Sequence, residues 1–282
     1  MTIQEALKKT QASLESGGLE NAQNESRWIV SSVVEKSATD LHLAPDKRLT
    51  QAQADLLTLY TRRRGCREPL QHILGDVTFC DSTIEVTPDA LIPRPETEWL
   101  VETLLAGLPE RKNWTILDIG TGTGAIAITL AARLPSCSVI AMDLSSAALR
   151  LATRNVAQND AADTIRLVQA DLHTLPFPND TFDLIISNPP YILSADIDHL
   201  ETEVRDHEPL LALDGGADGL TCYRSLASLG SSCLKPGGAM ALELPGHPPK
   251  AIAALFATGY TTPRISHDWT KKPRLLTVNR ST

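Results

Sequence analysis

The sequence predicts an α/β protein in which a parallel sheet is covered by helices on both faces and follows a small helical bundle. Up to about residue 72 the apolar residues recur only at helical spacing, whereas from Glu96 onward short apolar runs alternate with helical patterns. Such alternation is typical of parallel strands, because each needs a crossover connection that is usually a helix. We expect a helical domain over 1–73, a β-hairpin connector over 74–95 and an α/β domain over 96–282.

The predicted elements follow the chain in order. Helices over 3–16, 20–36 and 50–65 form the helical part. The character of the sequence then changes, and short runs of β-forming residues flank Asp81-Ser82, as in a hairpin. The predicted strands of the α/β part are WTILDIG, SVIAMDL, TIRLVQA, FDLIISN, GAMALEL, YTTPRISHD and RLLTVNR, with helices AIAITLAARL and SAALRLATRNVAQN and further helices near 219–234 and 248–258.

Composition excludes several classes of protein. A net charge of −8 argues against a protein whose whole surface binds nucleic acid, because backbone phosphates are bound by an excess of Lys and Arg. The five cysteines show neither a CxxC pair nor ligand spacing with His, which favours a reducing cytoplasm and no zinc site. The chain starts with an amphipathic helical pattern, and no apolar run reaches the roughly 18 residues of a membrane span. We therefore expect neither a signal peptide nor a membrane segment.

One cluster of basic residues lies in the helical part. The segment TRRRGCR brings together Arg62, Arg63, Arg64 and Arg67. The first 72 residues hold 10 of the 26 basic and 9 of the 34 acidic side chains, so the acidic excess lies in the α/β part. Two interpretations of the cluster stay open. The favoured one is a solvated helix end whose cations suit the helix dipole, and the other is a site for ribosomal RNA or another acidic partner.

A glycine-rich loop follows the first strand of the α/β part, in the segment LDIGTGTGAIAI. A dinucleotide-binding loop would read GxGxxG and would place a pyrophosphate at the helix N-terminus. Here the spacing is GxGxG, and Asp118 precedes it. A carboxylate is a poor neighbour for pyrophosphate but suits the cationic amino-acid end of S-adenosylmethionine. The predicted binding loop comprises Asp118, Gly120, Thr121, Gly122, Thr123 and Gly124.

Two further acidic residues end the next two strands. Asp143 follows VIAM, where a carboxylate can accept hydrogen bonds from both ribose hydroxyls. Asp171 follows LVQA, where it can accept from the adenine amino group while Leu172 packs against the ring. Each acid alone is more simply explained as a helix N-cap or a solvated turn. Their occurrence at successive strand ends after the glycine loop favours the cofactor site.

The fourth strand, FDLIIS, ends in the tetrapeptide NPPY. Two prolines cannot donate backbone hydrogen bonds, so the strand stops there. Their rigidity can fix the side-chain oxygen of Asn188 and the carbonyl of Pro189 as two acceptors for one planar NH2 group. Tyr191 would supply a flat surface for that group. In isolation the motif is more simply explained as a rigid proline turn, but downstream of the glycine loop it predicts methyl transfer to an amide or amino nitrogen.

These motifs and three further segments carry a resemblance to a known family over nearly the whole chain. The further segments are PLQHILG, LIPRPETE and EPLLALDGGADGL. The sequence resembles the HemK/PrmC-type methyltransferases, which methylate the side-chain amide nitrogen of glutamine in bacterial peptide chain release factors. NPPY alone is only moderately specific, because methyltransferases that act on adenine share it. Departures from the family pattern are LELPGHPP after the fifth strand, His72 where an aromatic residue is usual, and DWTKKPR near the C-terminus.

The resemblance implies a class I, Rossmann-like methyltransferase fold with a seven-stranded sheet. It further implies S-adenosylmethionine as cofactor, no metal, and the glutamine of a release factor's Gly-Gly-Gln motif as substrate. We expect a cytoplasmic monomer that binds release factors through its helical domain and connector, and that binds neither membranes nor nucleic acid stably. By the resemblance, the cofactor region is contacted by Gly120 to Gly124, Asp143, Asp171 and Asn188, and the glutamine by Asn188, Pro189, Pro190 and Tyr191.

Three other functions stay open. A glutamine methyltransferase acting on a ribosomal protein would share the catalytic motifs, and the N-terminal helices and IPRPETE favour the release factor instead. A nucleic-acid adenine methyltransferase would need a basic groove, which the acidic α/β part does not favour. A degenerate protein that only binds its partner would not need an intact NPPY.

Overall fold

A computed structural model describes residues 1–110, 113–174 and 177–282. The α-helices are α1 (Ile3–Ser16), α2 (Ala22–Val34), α3 (Ala38–Leu43), α4 (Gln51–Gly65), α5 (Leu70–Leu74), α6 (Pro95–Gly107), α7 (Ala125–Arg133), α8 (Ser146–Gln158), α9 (Thr202–Arg205), α10 (Thr221–Cys233) and α11 (Lys250–Ala254). The strands are β1 (Asp76–Phe79), β2 (Ser82–Glu85), β3 (Thr115–Ile119), β4 (Ser138–Asp143), β5 (Ile165–Gln169), β6 (Phe182–Ser187), β7 (Leu234–Glu243), β8 (Arg264–His267) and β9 (Pro273–Asn279).

The chain divides into two compact units. The first, called the helical unit here, comprises Met1–Gly75 together with Glu201–His207. The second, called the α/β unit, comprises Asp76–Leu200 and Glu208–Thr282. A short segment from far along the sequence therefore folds with the N-terminal helices. Among the described residues, we find no helix with the length and apolar character needed to cross a membrane.

In the helical unit, side-chain caps fix where the longer helices begin. Thr2 and Glu5 form a capping box at the start of α1, and Thr50 and Gln53 form another at the start of α4. Each box satisfies backbone N–H groups that the first helical turn leaves without partners. The apolar faces of these helices meet in one core, which includes Leu14, Ile29, Val30, Leu41 and Leu57.

A buried arginine is the main polar contact inside the helical unit. Arg64, at the end of α4, is only 6% exposed. Its Nε donates to Glu25 Oε2 at 2.6 Å, and a terminal nitrogen donates to Glu203 Oε1 at 3.1 Å. Glu203 also pairs with Arg67 at 2.9 Å. The interpretation of TRRRGCR as a solvated helix end is therefore wrong for Arg64, which links α4 to α2 and to the 201–207 segment.

In the α/β unit, the described strands of the larger sheet lie in the order β5-β4-β3-β6-β7-β9-β8, and β9 is antiparallel to both of its neighbours. This seven-stranded order confirms the predicted α/β fold class. Both faces of the sheet are covered by apolar clusters. On β3, Ile116 belongs to one cluster and Leu117 to the other, and on β6, Leu184 and Ile185 divide in the same way. A strand that is buried on both faces has a nearly continuous apolar sequence, which explains why FDLIIS does not alternate between apolar and polar residues.

The hairpin of β1 and β2 packs within the α/β unit. Its turn is Cys80-Asp81, one residue earlier than the predicted Asp81-Ser82, because Phe79 pairs with Ser82 across the hairpin. Phe79 and Ile84 are buried in one of the two clusters of the sheet. The register that buries these side chains determines where the turn falls.

We expect Arg64→Ala to lower the free energy of unfolding of the helical unit by about 3–5 kcal/mol, because Glu25 would stay buried without its partner, while Glu203 would keep only its pair with Arg67. Arg62→Ala is the matched control, since Arg62 is exposed on the same helical turn. Urea unfolding followed by circular dichroism measures both variants. Equal stability of the two variants would contradict a structural role for the Arg64 pairs.

Candidate active site

A cavity of about 380 Å³ opens at the carboxyl ends of the parallel strands. In sheets of this type, ligands bind at that edge. The cavity brings together most of the residues predicted from sequence, and Asp118, Gly124 and Tyr191 lie outside its lining. The predicted residues that line it are Gly120, Thr121, Gly122, Thr123, Asp143, Asp171, Leu172, Asn188, Pro189 and Pro190.

The glycine loop is held by hydrogen bonds to the end of the neighbouring strand. The N–H groups of Gly120 and Thr121 both donate to the carbonyl of Met142 at 2.9 Å. Gly122 has a φ of 56°, a conformation that favours glycine, and its N–H donates to Asp143 Oδ2 at 2.9 Å. The loop thus turns tightly between β3 and α7, and its backbone faces the cavity.

Asp143 ends β4 and already accepts two backbone hydrogen bonds. Its second oxygen accepts from the N–H of Ser145 at 2.9 Å. Burial raises the pKa of Asp143, and the two N–H groups of Ser145 and Gly122 oppose that rise. A carboxylate has about four lone-pair positions, so these two N–H groups do not exhaust its acceptor capacity. Asp143 is therefore both a loop anchor and an acceptor on the cavity wall.

Asp118 lies beneath the loop and is fully buried. The Thr121 hydroxyl donates to its Oδ2 at 2.6 Å, while Oδ1 has no hydrogen-bond partner within the part of the chain that the structure describes. Burial raises the pKa of Asp118 to about 7, the Thr121 hydrogen bond opposes the rise, and the charge of Asp143 adds to it. A cation placed nearby stabilises the ionised form of such a buried carboxyl group.

Asp171 follows β5 and caps the short 3-10 helix Leu172–Thr174 by accepting from the N–H of His173 at 2.8 Å. Asp171 therefore has the helix N-cap role that is the simpler explanation of an acid at this position. Asp171 and Leu172 nevertheless line the cavity. Both roles are compatible, because one N–H occupies only part of a carboxylate's acceptor capacity.

The segment that follows the hairpin forms a wall of the same cavity. Ala90, Leu91, Pro93 and Arg94 line it. The wall is fixed by Glu208, whose carboxylate accepts from the N–H of Ile92 at 3.2 Å and pairs with the Arg94 guanidinium. Sequence reasoning assigned no role to Arg94 or Glu208, although both belong to motifs that carried the family resemblance.

The backbone after NPPY packs against a glycine-rich segment from further along the chain. Gly215 N–H donates to the Ile192 carbonyl at 2.7 Å. A Cβ atom added at Gly215 would lie 2.7 Å from the Cα of Tyr191, and one added at Gly219 would lie 2.6 Å from its carbonyl oxygen. Only glycine permits this approach, so DGGADGL fixes the backbone of Tyr191.

Tyr191 itself packs against one of the two apolar clusters of the sheet. Burial raises the pKa of its hydroxyl to about 12, so the side chain stays neutral at physiological pH. Its predicted role as a flat surface for the target group stays a prediction.

Asn188 is tied to two buried side chains that sequence reasoning missed. Its Nδ2 donates to Thr97 Oγ1 at 3.1 Å, and the Thr97 hydroxyl donates to Glu243 Oε2 at 2.5 Å. Burial raises the pKa of Glu243 to about 7. Thr97 belongs to IPRPETE and Glu243 ends β7, so the sequence shows no pattern that pairs them.

Within the described ranges, no cluster of His, Cys, Asp or Glu is arranged to hold a metal ion.

Comparisons with known proteins match both parts of the chain. A family model described as PrmC N-terminal domain matches residues 5–75, and one described as methyltransferase domain matches residues 116–208. A release factor glutamine methyltransferase of Caulobacter vibrioides is 37% identical over 277 residues, which cover 98% of this chain and 96% of that protein. One of Geobacter sulfurreducens is 39% identical over 260 residues, covering 92% and 90%.

A crystal structure of a methyltransferase from Pyrococcus furiosus superposes with a TM-score of 0.53 and 24% identity, covering 71% of this chain and 89% of that one. At this identity the similarity concerns the fold, and it agrees with the Rossmann-like sheet described above.

Proposed function

This chain belongs to the release factor glutamine methyltransferase family, and we propose on that premise that it methylates the side-chain amide nitrogen of the glutamine in a release factor's Gly-Gly-Gln motif. The observation that carries the proposal is that the glycine loop and Asn188-Pro189-Pro190 line one cavity. A donor site and an amide-binding site are then adjacent, as direct methyl transfer requires.

The chemistry of the cavity fits S-adenosylmethionine, whose sulfonium carries the methyl group that is transferred. The buried Asp118 Oδ1 without a partner favours a cation nearby, which this ligand supplies and a pyrophosphate does not. Asp143 would accept from the ribose hydroxyls, and Asp171 and Leu172 would bind the adenine. The backbone from Gly120 to Gly124 would approach the ligand closely, because the loop has no bulky side chain at its glycines.

The residues of NPPY would bind and orient the glutamine amide. Its NH2 group offers two donors, which the Asn188 Oδ1 and the Pro189 carbonyl can accept together. An amide nitrogen is a weak nucleophile because its lone pair is delocalised. Acceptors on its two hydrogens favour the positive charge that develops at nitrogen as the methyl–sulfur bond breaks and the methyl–nitrogen bond forms, and the rigid prolines hold both acceptors in position. One of the two amide hydrogens then leaves as a proton to solvent, which gives the neutral N-methyl amide. This chemistry requires no metal.

We further propose that the helical unit recognises the folded release factor while the cavity accepts only the Gly-Gly-Gln tip. Three large apolar side chains are exposed on this unit, Trp28 at 49%, Leu43 at 78% and Leu59 at 39%. Exposed aromatic residues are frequent centres of protein interfaces. On this proposal the enzyme is a cytoplasmic monomer whose partner is a translation factor, and it binds neither membranes nor nucleic acid stably.

Asn188→Ala should lower the rate of methyl transfer by roughly 10²-fold or more, because one positioned acceptor is lost from the reacting amide. Asn188→Asp keeps an acceptor and should retain part of the rate. Binding of S-adenosylmethionine by Asn188→Ala should change much less than the rate. Single-turnover assays with a purified release factor and mass spectrometry of the product measure these effects.

The control is a release factor whose Gly-Gly-Gln glutamine is replaced, which should accept no methyl group. Methylation of that control, or a wild-type rate for Asn188→Ala, would refute the proposed reaction. Methylation of a ribosomal protein in place of the release factor would favour the second glutamine substrate.

Asp118→Asn should stabilise the protein at pH 8 and weaken cofactor binding. Because the folded-state pKa is raised from 3.8 to about 7, the unfolded carboxyl loses its proton first, and stability falls as pH rises between these values. Removing the charge should raise the free energy of unfolding by on the order of 1–3 kcal/mol at pH 8.

The wild-type affinity for S-adenosylmethionine should rise with pH through about 7, since the cationic ligand favours the ionised Asp118. Asp118→Asn should lack that rise. Calorimetric titration between pH 6 and pH 8 measures the affinity, with exposed Asp163→Asn as the matched control. A pH-independent wild-type affinity would exclude Asp118 from the cation site.

Trp28→Ala should raise the KM for the intact release factor about fivefold or more, as expected when an interface centre is lost. The KM for a short peptide that contains Gly-Gly-Gln should not change, because the peptide reaches only the cavity. Lys36→Ala, an exposed change beyond the end of α2, is the control. If Trp28→Ala and Leu43→Ala both leave the KM for the intact factor unchanged, these exposed side chains do not bind the substrate.

A further inference from the structure

The contacts behind Asn188 form a hydrogen-bonded chain with one direction. Asn188 Nδ2 donates to Thr97 Oγ1 at 3.1 Å, and the Thr97 hydroxyl donates to Glu243 Oε2 at 2.5 Å. Thr97 is 5% exposed and Glu243 2%, so neither group has ready access to water. A hydroxyl has one hydrogen to donate. When Thr97 gives it to Glu243, the oxygen of Thr97 is left to accept from Asn188.

The direction of this chain decides which end of the Asn188 amide faces the cavity. With Nδ2 bound to Thr97, Oδ1 is the atom left to accept from a substrate NH2 group. If the chain ran the other way, Thr97 would donate to Oδ1 and Nδ2 would face the cavity. An NH2 group there has no acceptor for the substrate hydrogens, so only the observed direction suits an amide substrate.

We propose that Thr97 and Glu243 are positioning residues that hold the acceptor end of Asn188 toward the reacting nitrogen. The proposal rests on the function proposed above and assigns roles within the same site. Thr97 lines the cavity and Glu243 lies behind it, and in this role both act on the reacting amide through Asn188. Glu243 accepts from the Thr97 hydroxyl and thereby sets the direction of the chain. The Thr97 oxygen in turn accepts from Asn188 Nδ2.

Glu243 is held in place from several elements. Its own carbonyl accepts from the buried Tyr223 hydroxyl of α10 at 2.6 Å. The charged and titratable side chains that act on its carboxylate are Arg274 of β9, Arg94 and Glu96 at the start of α6, and Tyr191 after β6. The two arginines favour the ionised form of Glu243, while Glu96 and burial oppose it.

Protonation of Glu243 gives the arrangement a pH dependence. A proton on Oε2 makes Glu243 a donor to Thr97. The Thr97 hydroxyl then donates to Asn188, and the side-chain amide of Asn188 rotates by about 180° so that Oδ1 accepts from Thr97 and Nδ2 faces the cavity. The pKa of Glu243 is raised to about 7. The rate at saturating S-adenosylmethionine should therefore fall as pH decreases through this range. Saturation with the cofactor separates this effect from that of Asp118, which acts on affinity.

The experiment measures kcat and KM with a release factor between pH 6 and pH 9 for three variants. Thr97→Val keeps the shape but removes the hydroxyl, and it should lower kcat roughly tenfold, as the loss of one buried hydrogen bond predicts. Its KM for S-adenosylmethionine should stay near the wild-type value. Thr97→Ser should restore most of kcat. Glu243→Gln should abolish the decrease of kcat at low pH.

Thr103→Val, a half-buried change on α6 outside the site, is the matched control and should leave kcat unchanged. Cofactor affinity and melting temperature show that each variant is folded. A wild-type kcat for Thr97→Val, or equal losses for Thr97→Val and Thr97→Ser, would overturn the proposal. Persistence of the low-pH decrease in Glu243→Gln would remove Glu243 from it. Failure of the proposed function is distinct, because the wild-type enzyme would then not methylate the glutamine.

Discussion

The burial of carboxylates beneath the cavity is the constraint on which the rest of the site depends. Asp118 and Glu243 lie at the carboxyl ends of β3 and β7, where the surrounding apolar clusters exclude water. A buried charge is unfavourable unless partners satisfy it. A threonine hydroxyl donates to each of them, Thr121 to Asp118 and Thr97 to Glu243, and burial still raises the pKa of both carboxyls to about 7. The hydrophobic packing that stabilises the sheet thereby also determines the electrostatic character of the site.

The cavity walls are assembled from segments that are distant in sequence. Glu208 joins the loop before α6 to the segment before α10 through Ile92 and Arg94. Gly215 and Gly219 permit the later segment to contact the backbone of Tyr191 directly. These contacts explain physically why the chain carries the motifs LIPRPETE and EPLLALDGGADGL, whose role a sequence comparison does not show. Glu208 fixes the cavity wall at Ile92 and Arg94, and the two glycines fix the backbone of Tyr191.

The strands could be predicted because a buried strand is a short run of consecutive apolar residues, which is visible in the sequence itself. FDLIIS is an example, since both faces of β6 are buried. The hairpin turn was predicted one residue late, because the burial of Phe79 decides the register and Asp81-Ser82 only resembles a turn. Thr97 and Glu243 were missed because they are 146 positions apart and meet only in the folded chain. The glycine loop and NPPY were predicted from contiguous residues, and Asp143 and Asp171 from their places at strand ends, which bring all of them except Gly124 and Tyr191 to the cavity lining.

The Glu201–His207 segment folds with the N-terminal helices although it lies between β6 and α10. The chain therefore passes between the two units at three places: after Gly75, after Leu200 and after His207. The helical unit is thus not a detachable N-terminal module, and a single cut after Gly75 would separate it from a part of its own fold. The contact of Arg64 with Glu203 couples the stability of α4 to that of the later segment.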